Sequence, residues 1–497
     1  PSQNILSCLI KYNKKKYNIE DFSLNSVWKN SASLNNKNFK NLHSFFWLFS
    51  LDLKSSKKIT QNVIYNWIIE NDKYKQNIWD LDILSKRIIA WISNSKLTYE
   101  SSETDYKLQF NSLIKKQTNH LVNEIKRTDK LDDKIIGSTA IILVGLSYGD
   151  AYYLKFGIDL LKKILNFSLD VSSFPKSRNL RQLVFYLKYI IVIRELLKES
   201  QNTIPEFLDE TIFYLGKSYN LLCANKGNGM LFNGNFEEPN KEFDNYLNFH
   251  KYKFKDDTNE TGGYVVLKNK KFFLAVDIGR SPDKKFSKDY QAGVLSFEFN
   301  FSGEKVITNS GYFQDHRHQL NIISKSSATH STLVLNNKST VNFERDKYGH
   351  MLVNKSFKIL NKEIKNEKDF WSIRASHDAY SKSNGVIYER TLQCFHERCS
   401  LEGCDKLIKT KHFKPSNFEI RFHLLPNINL TKLLNNETIL IESNNAGWKF
   451  TCKNYQLDIE KGLYFGKKNK YLENKNILIS GVTNPEEQII LWDISKI

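Results

Sequence analysis

The chain has 497 residues, 40% of them hydrophobic and 13% aromatic, which is enough for two or three folded domains and excludes a disordered protein. Its formal net charge of +19 favours a polyanionic partner. Nucleic acid is not favoured, because acidic residues are mixed among the lysines and no zinc-finger spacing or RNA-binding strand motif is present.

Helical periodicity dominates the chain up to residue 230. Apolar residues recur at steps of three and four, which is typical of amphipathic helices. This pattern predicts helices over residues 83–92, 105–130, 135–146, 152–167, 179–198 and 207–222. Because no strand pattern separates them, an all-α domain is predicted for residues 1–230.

The pattern changes after residue 230. Residues 231–255 are polar and are predicted to be a linker. From residue 256 to the end, short apolar segments alternate with Gly, Asn and Asp turns, which predicts a large antiparallel β-sandwich over residues 256–497. The predicted fold class is therefore α+β and multidomain, with the helices first and the sandwich second.

Location and thiol chemistry are only coarsely indicated. No segment reaches the roughly 20 apolar residues that a membrane-spanning helix needs, so no transmembrane segment is predicted. The first residues lack the charged and apolar regions of a signal peptide, which by itself favours the cytoplasm. Cys394, Cys399 and Cys404 are spaced more widely than the cysteines of zinc sites, so free or buried thiols are predicted.

Polar side chains collect at the ends of three predicted strands. Gln291 precedes the strand 294–299, Asn309 follows the strand that begins at Val306, and His330 precedes the strand 332–335. Arg317 lies in the polar loop between the last two. We expect the strand ends to bring these residues together, as a site for a sugar acid requires. The alternative for His330 is a structural ring that bonds across the strand ends.

Several motifs resemble the heparinase II/III family of polysaccharide lyases. They are Phe232-Asn-Gly, Leu295-Ser-Phe-Glu, Ala328-Thr-His-Ser-Thr-Leu, Ala375-Ser-His-Asp-Ala-Tyr and Arg421-Phe-His-Leu. Members of the family combine an incomplete α/α toroid with an antiparallel β-sandwich and hold their substrate in a cleft between the two. The resemblance therefore implies a toroid for the helical domain. It also implies a bacterial, periplasmic enzyme that acts on a glycosaminoglycan or another acidic polysaccharide.

The chemistry implied by the resemblance is β-elimination on a uronic acid. The enzyme must neutralise the sugar carboxylate, remove the C5 proton with a base and protonate the leaving oxygen. The paired histidines of the family fall on Asp289 and Gln291, its aspartate falls on Asn309, and its last histidine is kept as His330. His330 and Asp289 are therefore the candidate proton-transfer groups on the strands.

The helical half supplies fewer matches. The catalytic tyrosine of the family falls on Leu180 or Arg181, and its Asn-His pair falls on Asp132-Asp133, so Tyr186 and the Asn119-His120 pair are the candidate substitutes. Arg178, Arg181 and Arg317 are candidates for holding a carboxylate with the planar fork of their guanidinium groups. For all three arginines the alternative is a solvated, charged surface.

A bound metal is not expected, although some family members hold one in the sandwich. Gln291 and Asn309 offer neutral amides, which are weak zinc ligands, and His330 alone does not make a zinc site. No other cofactor is predicted.

Three functions fit these patterns. The leading hypothesis is a polysaccharide lyase that acts on an acidic glycan. The second is a glycan-binding protein that kept the fold and lost the proton-transfer groups. The third is a glycoside hydrolase that uses paired carboxylates such as Asp132 and Asp133. No oligomeric state is predicted.

Overall fold

The structure is a computed structural model that describes residues 28, 31, 34–51, 57–224, 229–255, 257–443 and 446–497. Within these residues the chain forms two compact units. Unit 1 takes its residues from 1–169, 185–215 and 245–252, and unit 2 from 170–184, 216–244 and 253–497. The units interleave along the chain. Unit 2 includes residues 170–184 and 216–230, which were predicted to belong to the helical domain, and residues 231–244, which were predicted to be a linker.

Helices build most of unit 1. In chain order they are α1 Asn36–His43, α2 Lys57–Asn71, α3 Leu81–Ser93, α4 Ser95–Thr98, α5 Thr104–Glu124, α6 Leu131–Tyr148, α7 Ala151–Ser168, α8 Leu180–Glu199 and α9 Glu206–Leu222. Helix α8 begins in unit 2 and α9 ends there. The predicted order of helices without intervening strands is confirmed for this region.

Glycines allow α6 and α7 to approach closely. A side chain at Gly145 would come within 2.5 Å of the backbone nitrogen of Leu154, and one at Gly157 would come within 2.6 Å of Ile142 Cγ1. Residues 135–145 of α6 are buried throughout, so α6 is the central helix that its apolar sequence predicts. No helix within the described ranges combines the length and the apolar character needed to span a bilayer.

One helix was missed in the segment predicted to be a linker. Helix α10 Lys241–Phe249 buries Phe243, Tyr246 and Leu247, which recur at helical spacing. The Lys, Glu, Asn and Asp residues between them hide that periodicity in a search for apolar runs.

Antiparallel sheets build most of unit 2. The first sheet has five strands in chain order: β1 Glu260–Thr261, β2 Tyr264–Lys268, β3 Phe272–Asp277, β4 Phe297–Phe301 and β5 Glu304–Ile307. Two short helices, α11 Gln319–Lys325 and α12 Ser381–Asn384, lie in loops between strands.

The remaining strands form three further sheets. They are β6 Leu333–Leu335, β7 Asn342–Arg345, β8 Met351–Lys355, β9 Ile359–Asn366, β10 Phe370–His377, β11 Val386–Phe395, β12 Ser400–Lys409, β13 Asn417–His423, β14 Asn429–Lys432, β15 Thr438–Glu442, β16 Gly447–Cys452, β17 Leu457–Tyr464, β18 Leu472–Val482 and β19 Gln488–Lys496. The largest sheet has eight strands in the order β14-β15-β16-β19-β12-β11-β10-β9. A four-stranded sheet has the order β17-β18-β13-β6, and β7 pairs with β8.

The three larger sheets share one apolar core. Phe297 of the first sheet stacks on Trp492 of the largest at 5.7 Å, and Phe422 of the four-stranded sheet meets the same indole at 4.7 Å. Gly403 lies opposite Trp492 in the strand register, where a side chain would come within 2.0 Å of the indole. The predicted fold class, helices followed by a large antiparallel β-sandwich, is confirmed.

A buried ion pair crosses this core. Arg390 and Asp405 face each other on β11 and β12, are 2% and 0% exposed, and approach to 2.6 Å. Tyr388 and Trp492 also donate to the Asp405 carboxylate, at 2.7 and 2.8 Å. The guanidinium donates further to the carbonyl oxygen of Ser331 at 2.6 Å, so the pair links the largest sheet to the loop that carries His330.

We predict that Asp405→Asn destabilises unit 2 by about 3–5 kcal/mol, because it leaves the buried Arg390 charge without a counter-ion. Urea unfolding followed by tryptophan fluorescence measures the change. The matched control is Glu402→Gln, which breaks the exposed Arg398–Glu402 pair and is expected to cost less than about 1 kcal/mol. Equal small effects of the two substitutions would contradict the prediction.

Candidate functional site

Four residues of unit 2 surround the carboxylate of Asp289, which follows the short helical turn Lys284–Phe286. Tyr312 donates its hydroxyl to Asp289 Oδ1 at 3.0 Å, and Asn179 donates Nδ2 to Asp289 Oδ2 at 3.2 Å. Arg181 Nη2 lies 3.9 Å from the same Oδ2 atom. Gly234 lies against this group, where a side chain would come within 2.7 Å of Asn179 Nδ2. We call these five residues the Asp289 cluster.

The guanidinium of Arg181 is oriented by aromatic rings, but not all of its hydrogen-bond donors are used. It lies over the rings of Phe236 and Tyr312, with centroids at 5.2 and 5.8 Å. The Arg181 side chain is 31% exposed, and its 3.9 Å approach to Asp289 is too long for a hydrogen bond. Its buried Nε atom has no hydrogen-bond partner in the described part of the chain. Arg181 therefore keeps donors that a ligand can use.

Positive charge dominates around Asp289. Burial raises the pKa of this carboxyl, but Arg181, Lys288, Lys325 and the Tyr312 hydroxyl outweigh burial and hold the pKa below its ordinary value. Burial, together with the nearby Asp289 charge, raises the pKa of Tyr312 well above its ordinary value. At neutral pH the cluster thus contains an ionised carboxylate and a neutral phenol.

Lys325, at the end of α11, is a buried member of this charged surrounding. Its ammonium group donates to the carbonyl oxygens of Lys288 and Met351, the latter at 2.7 Å. Burial lowers the pKa of Lys325 to about 8, and the charge of Asp289 opposes that effect. Lys325 is therefore fixed in the interior, while the exposed Lys288 lies beside Asp289 in the chain.

Gln291 is fully hydrogen-bonded inside unit 2 and is 0% exposed. Its Nε2 donates to the carbonyl oxygens of Gly311 at 2.9 Å and Ser324 at 2.6 Å, and its Oε1 accepts from the Gly234 backbone at 3.0 Å. Because both ends of the amide are in use, Gln291 fixes the loops around Asp289 and has nothing left for a substrate.

His330 also lies in the interior, since it is 1% exposed. Its Nδ1 meets the Ser326 carbonyl oxygen at 2.9 Å, and Gly293 packs so close that a side chain there would lie 2.4 Å from the ring. Burial lowers the pKa of His330 to about 4, so the ring is neutral at physiological pH. This burial supports the structural alternative for His330 and argues against contact with a polymer.

Asn309 joins the same interior group. It is 0% exposed, and its Oδ1 accepts from the Ser331 backbone at 2.9 Å. The strand ends do bring Gln291, Asn309 and His330 into one region, as expected, but as parts of the core.

Arg178 forms a structural ion pair. It is 7% exposed, and its Nη2 donates to Asp277 Oδ1 at 2.7 Å. It also donates to the carbonyl oxygens of Gly262 at 2.9 Å and Gly263 at 3.1 Å. These bonds hold Arg178 in the left-handed conformation, with φ of 58°. Its donors are occupied within the protein, so the predicted contact with a polyanion finds no support.

The other two predicted residues lie outside the Asp289 cluster. Tyr186 is in unit 1, is 0% exposed, and has a pKa raised above its ordinary value by burial. Arg317 is exposed in the loop before α11. The pKa of the neighbouring His316 is lowered mainly by burial, and the charges of Lys288 and Arg317 lower it further. Arg317 and Lys288 thus belong to one basic surface near this loop.

Three members of the cluster, Asn179, Tyr312 and Gly234, were not predicted as site residues, and two of them donate hydrogen bonds to Asp289. Asn179 carries a recognisable signal, because its Oδ1 accepts from the Arg181 and Gln182 backbones at 2.8 and 3.3 Å, the geometry of a helix N-cap. Tyr312 follows Gly311 in a polar segment, and no periodicity marks it. Its place depends on the packing of that segment against Asp289.

The residues at the position of the family's metal do not fit a metal ion. Gln291 is a neutral amide bonded to three backbone groups, and His330 and Asn309 are buried beside it. Among the described residues, no group of three or more His, Cys, Asp or Glu side chains is arranged to hold a metal.

Comparisons with known proteins agree with this fold. Residues 257–493 match the family model for the heparinase II/III-like C-terminal region. No curated protein matches the sequence. A mutant of the heparan sulfate lyase HepC from Pedobacter heparinus has a TM-score of 0.73 and 12% identity, over 98% of this chain and 79% of that one.

Two further solved structures are similar. A heparinase III gene product has a TM-score of 0.73 and 14% identity, over 93% of this chain and 79% of that one. A crystal structure of heparinase III has a TM-score of 0.70 and 13% identity, over 94% of this chain and 78% of that one. At such low sequence identities, these similarities establish the fold and do not establish the activity. The predicted resemblance is confirmed: residues 257–493 match the heparinase II/III-like C-terminal region, and the chain shares its fold with the solved heparinase III structures.

Proposed function

We propose that this protein binds an acidic, uronic-acid-containing glycan through Arg181 and the basic surface around Asp289, as a glycan-binding relative of the lyases. The observation that carries the proposal is the state of Arg181, which is partly exposed, oriented by two rings, and left with an unpartnered Nε atom within the described chain.

The fork of a guanidinium suits a sugar carboxylate. It presents parallel N–H donors that match the two carboxylate oxygens, and stacking on aromatic rings limits the entropy lost on binding. Because Arg181 makes only a loose pair with Asp289, at 3.9 Å, a ligand carboxylate can compete for it.

The surrounding charge supports an anionic ligand. Arg181, Lys288 and Lys325 outnumber the single carboxylate of Asp289, and all three lower its pKa. The whole chain carries a net charge of +19, which attracts a polyanion at long range. The proposal requires no metal ion, because the positive charge comes from side chains.

Binding is favoured over elimination by the state of the would-be catalytic groups. A general base is most effective with a pKa near the working pH, whereas the pKa of Asp289 is below that of an ordinary carboxyl group. The resemblance matches the catalytic tyrosine to Leu180 or Arg181; Leu180 is buried and carries no proton to donate, and the guanidinium of Arg181 is a poor proton donor because it stays protonated at neutral pH. His330 lies in the core.

A weak lyase activity is the second candidate. It is favoured by the 3.0 Å hydrogen bond between Tyr312 and Asp289, which pairs a potential acid with a potential base beside Arg181. In that case Asp289 would take the C5 proton and Tyr312 would protonate the leaving oxygen.

We predict that Arg181→Gln weakens the binding of heparan sulfate or alginate oligosaccharides about tenfold or more, the size expected for lost hydrogen bonds to a charged group. Isothermal titration calorimetry at fixed ionic strength measures this effect. Arg398→Gln is the matched control, because Arg398 also stacks on a ring, at 4.0 Å from Phe395, and pairs with a carboxylate. Equal weakening by both variants would show a general charge effect and reject the site.

We predict that the wild-type protein releases no unsaturated sugar from a panel of heparan sulfate, heparin and alginate, because Asp289 is a weak base and Leu180 cannot donate a proton. The measurement follows ultraviolet absorbance of the unsaturated product over prolonged incubation. Product formation that Asp289→Asn or Tyr312→Phe abolishes would contradict the binding-only function and establish the weak lyase.

A further inference from the structure

A pocket of about 690 Å³ lies in unit 1, where the end of α5 meets the starts of α3 and α6. One wall is aromatic: Tyr74 and Trp79 lie 6.0 Å apart, and His120 meets the two rings at 5.4 and 5.2 Å. Tyr74 is 61% exposed, so its ring is accessible to a ligand.

Carboxylates form the opposite part of the lining. They are Asp80, Glu124 and Asp133, and the Asp133 side chain is 15% exposed. Burial and the charges of Asp82, Asp80 and Asp132 raise the pKa of Asp133 to about 6, and the charge of Lys130 opposes them.

The basic residues of the lining, Arg127 and Lys130, cancel only part of the negative charge of the three carboxylates. Lys130 is 66% exposed and approaches Asp133 only to 3.7 Å. Arg127 bonds both oxygens of Glu124, at 2.7 and 2.9 Å. The pocket is therefore locally acidic within a strongly basic protein.

A buried donor is left over at the aromatic wall. Trp79 lines the pocket and is 4% exposed, yet its Nε1 atom has no hydrogen-bond partner among the residues that the structure describes. A buried N–H donor without an acceptor is unfavourable, so a ligand that brings an acceptor such as a hydroxyl oxygen is favoured.

We propose that this pocket binds an amino sugar in its protonated, unacetylated form. The ammonium group meets Asp133 and the neighbouring carboxylates, the sugar ring lies on Tyr74 and Trp79, and a ring hydroxyl accepts from the indole. Aromatic faces favour a nearby cation as well as the apolar face of a sugar ring. The ligand is opposite in charge to the glycan proposed for the Asp289 cluster, and the two proposals stand independently.

The direct test is calorimetric titration of the full chain with a tetramer of glucosamine and, separately, with a tetramer of N-acetylglucosamine. We expect the glucosamine tetramer to bind and its acetylated counterpart to bind about tenfold more weakly or not at all, because acetylation removes a charged hydrogen-bond donor. Equal binding of the two, or no binding of glucosamine at millimolar concentration, would overturn the proposal.

Variants locate the binding. Asp133→Asn and Tyr74→Ala should each weaken glucosamine binding about tenfold, whereas Asp105→Asn, at an exposed carboxylate in the first turn of α5, should leave it unchanged. Tyr74 is largely exposed, so its variant tests the pocket even where the substitution at Asp133 disturbs folding. Arg181→Gln should also have no effect, which separates this result from a failure of the Asp289 cluster. Equal losses in all variants would reject the pocket.

The pH dependence supplies a second readout. Ammonium binding requires the ionised form of Asp133, so affinity should fall as the pH is lowered through about 6. His120 also lines the pocket; burial lowers its pKa and the charge of Glu124 opposes that effect, so the Asp133→Asn variant is needed to separate the titration of Asp133 from that of His120. An affinity with the same pH profile in Asp133→Asn would contradict the role of this carboxylate.

Discussion

The buried ion pair between Arg178 and Asp277 is the interaction on which the Asp289 cluster depends. It ties the start of helix α8 to strand β3, and Asn233 extends the network by donating to the same carboxylate at 3.2 Å and accepting from the Gln291 backbone at 3.2 Å. Arg178 adopts a strained, left-handed backbone that these bonds hold in place. Asn179 and Arg181 follow Arg178 directly in the chain. Arg178, whose own donors are all occupied, therefore fixes the position of Arg181, which keeps donors for a ligand.

In the same region, two neutral side chains take positions that the resemblance assigns to charged or metal-binding ones. Where the resemblance places histidines and an aspartate, this chain has Asp289, Gln291 and Asn309. Gln291 bonds three backbone groups, a role that links the loops with neutral hydrogen bonds instead of a metal ion. Such bonds stabilise the loops at any ordinary pH but supply neither a proton nor a Lewis acid. The carboxylate of Asp289 beside these loops is surrounded by positive charge, which holds its pKa below the ordinary value.

Local charge differs in sign between the two units. In unit 2, Arg181, Lys288 and Lys325 surround one carboxylate and lower its pKa. In unit 1, burial and three carboxylates raise the pKa of Asp133, and the charge of Lys130 opposes them. A net charge of +19 conceals this contrast, because composition sums over the whole chain. A glycan that carries both carboxylates and free amines would find a complementary group in each unit.

The sequence by itself determined the order of architecture. Three- and four-residue periodicity gave the helices, alternation and turn residues gave the antiparallel sheets, and short motifs around Leu295 and His330 gave the family. Those features are local, so they survive in a linear pattern. Helix α10 was missed because charged residues dilute its apolar face.

Only the tertiary structure decided which polar residues are available. His330, Gln291 and Arg178 look like site residues in the sequence, yet each is buried and bonded within the protein. Tyr312 and Asn179 were not predicted as site residues, yet both donate hydrogen bonds to Asp289. Asn179 is 110 residues away from Asp289 in the sequence. Burial and long-range approach are properties of packing, because desolvation and the choice of hydrogen-bond partner depend on neighbours that no local pattern encodes.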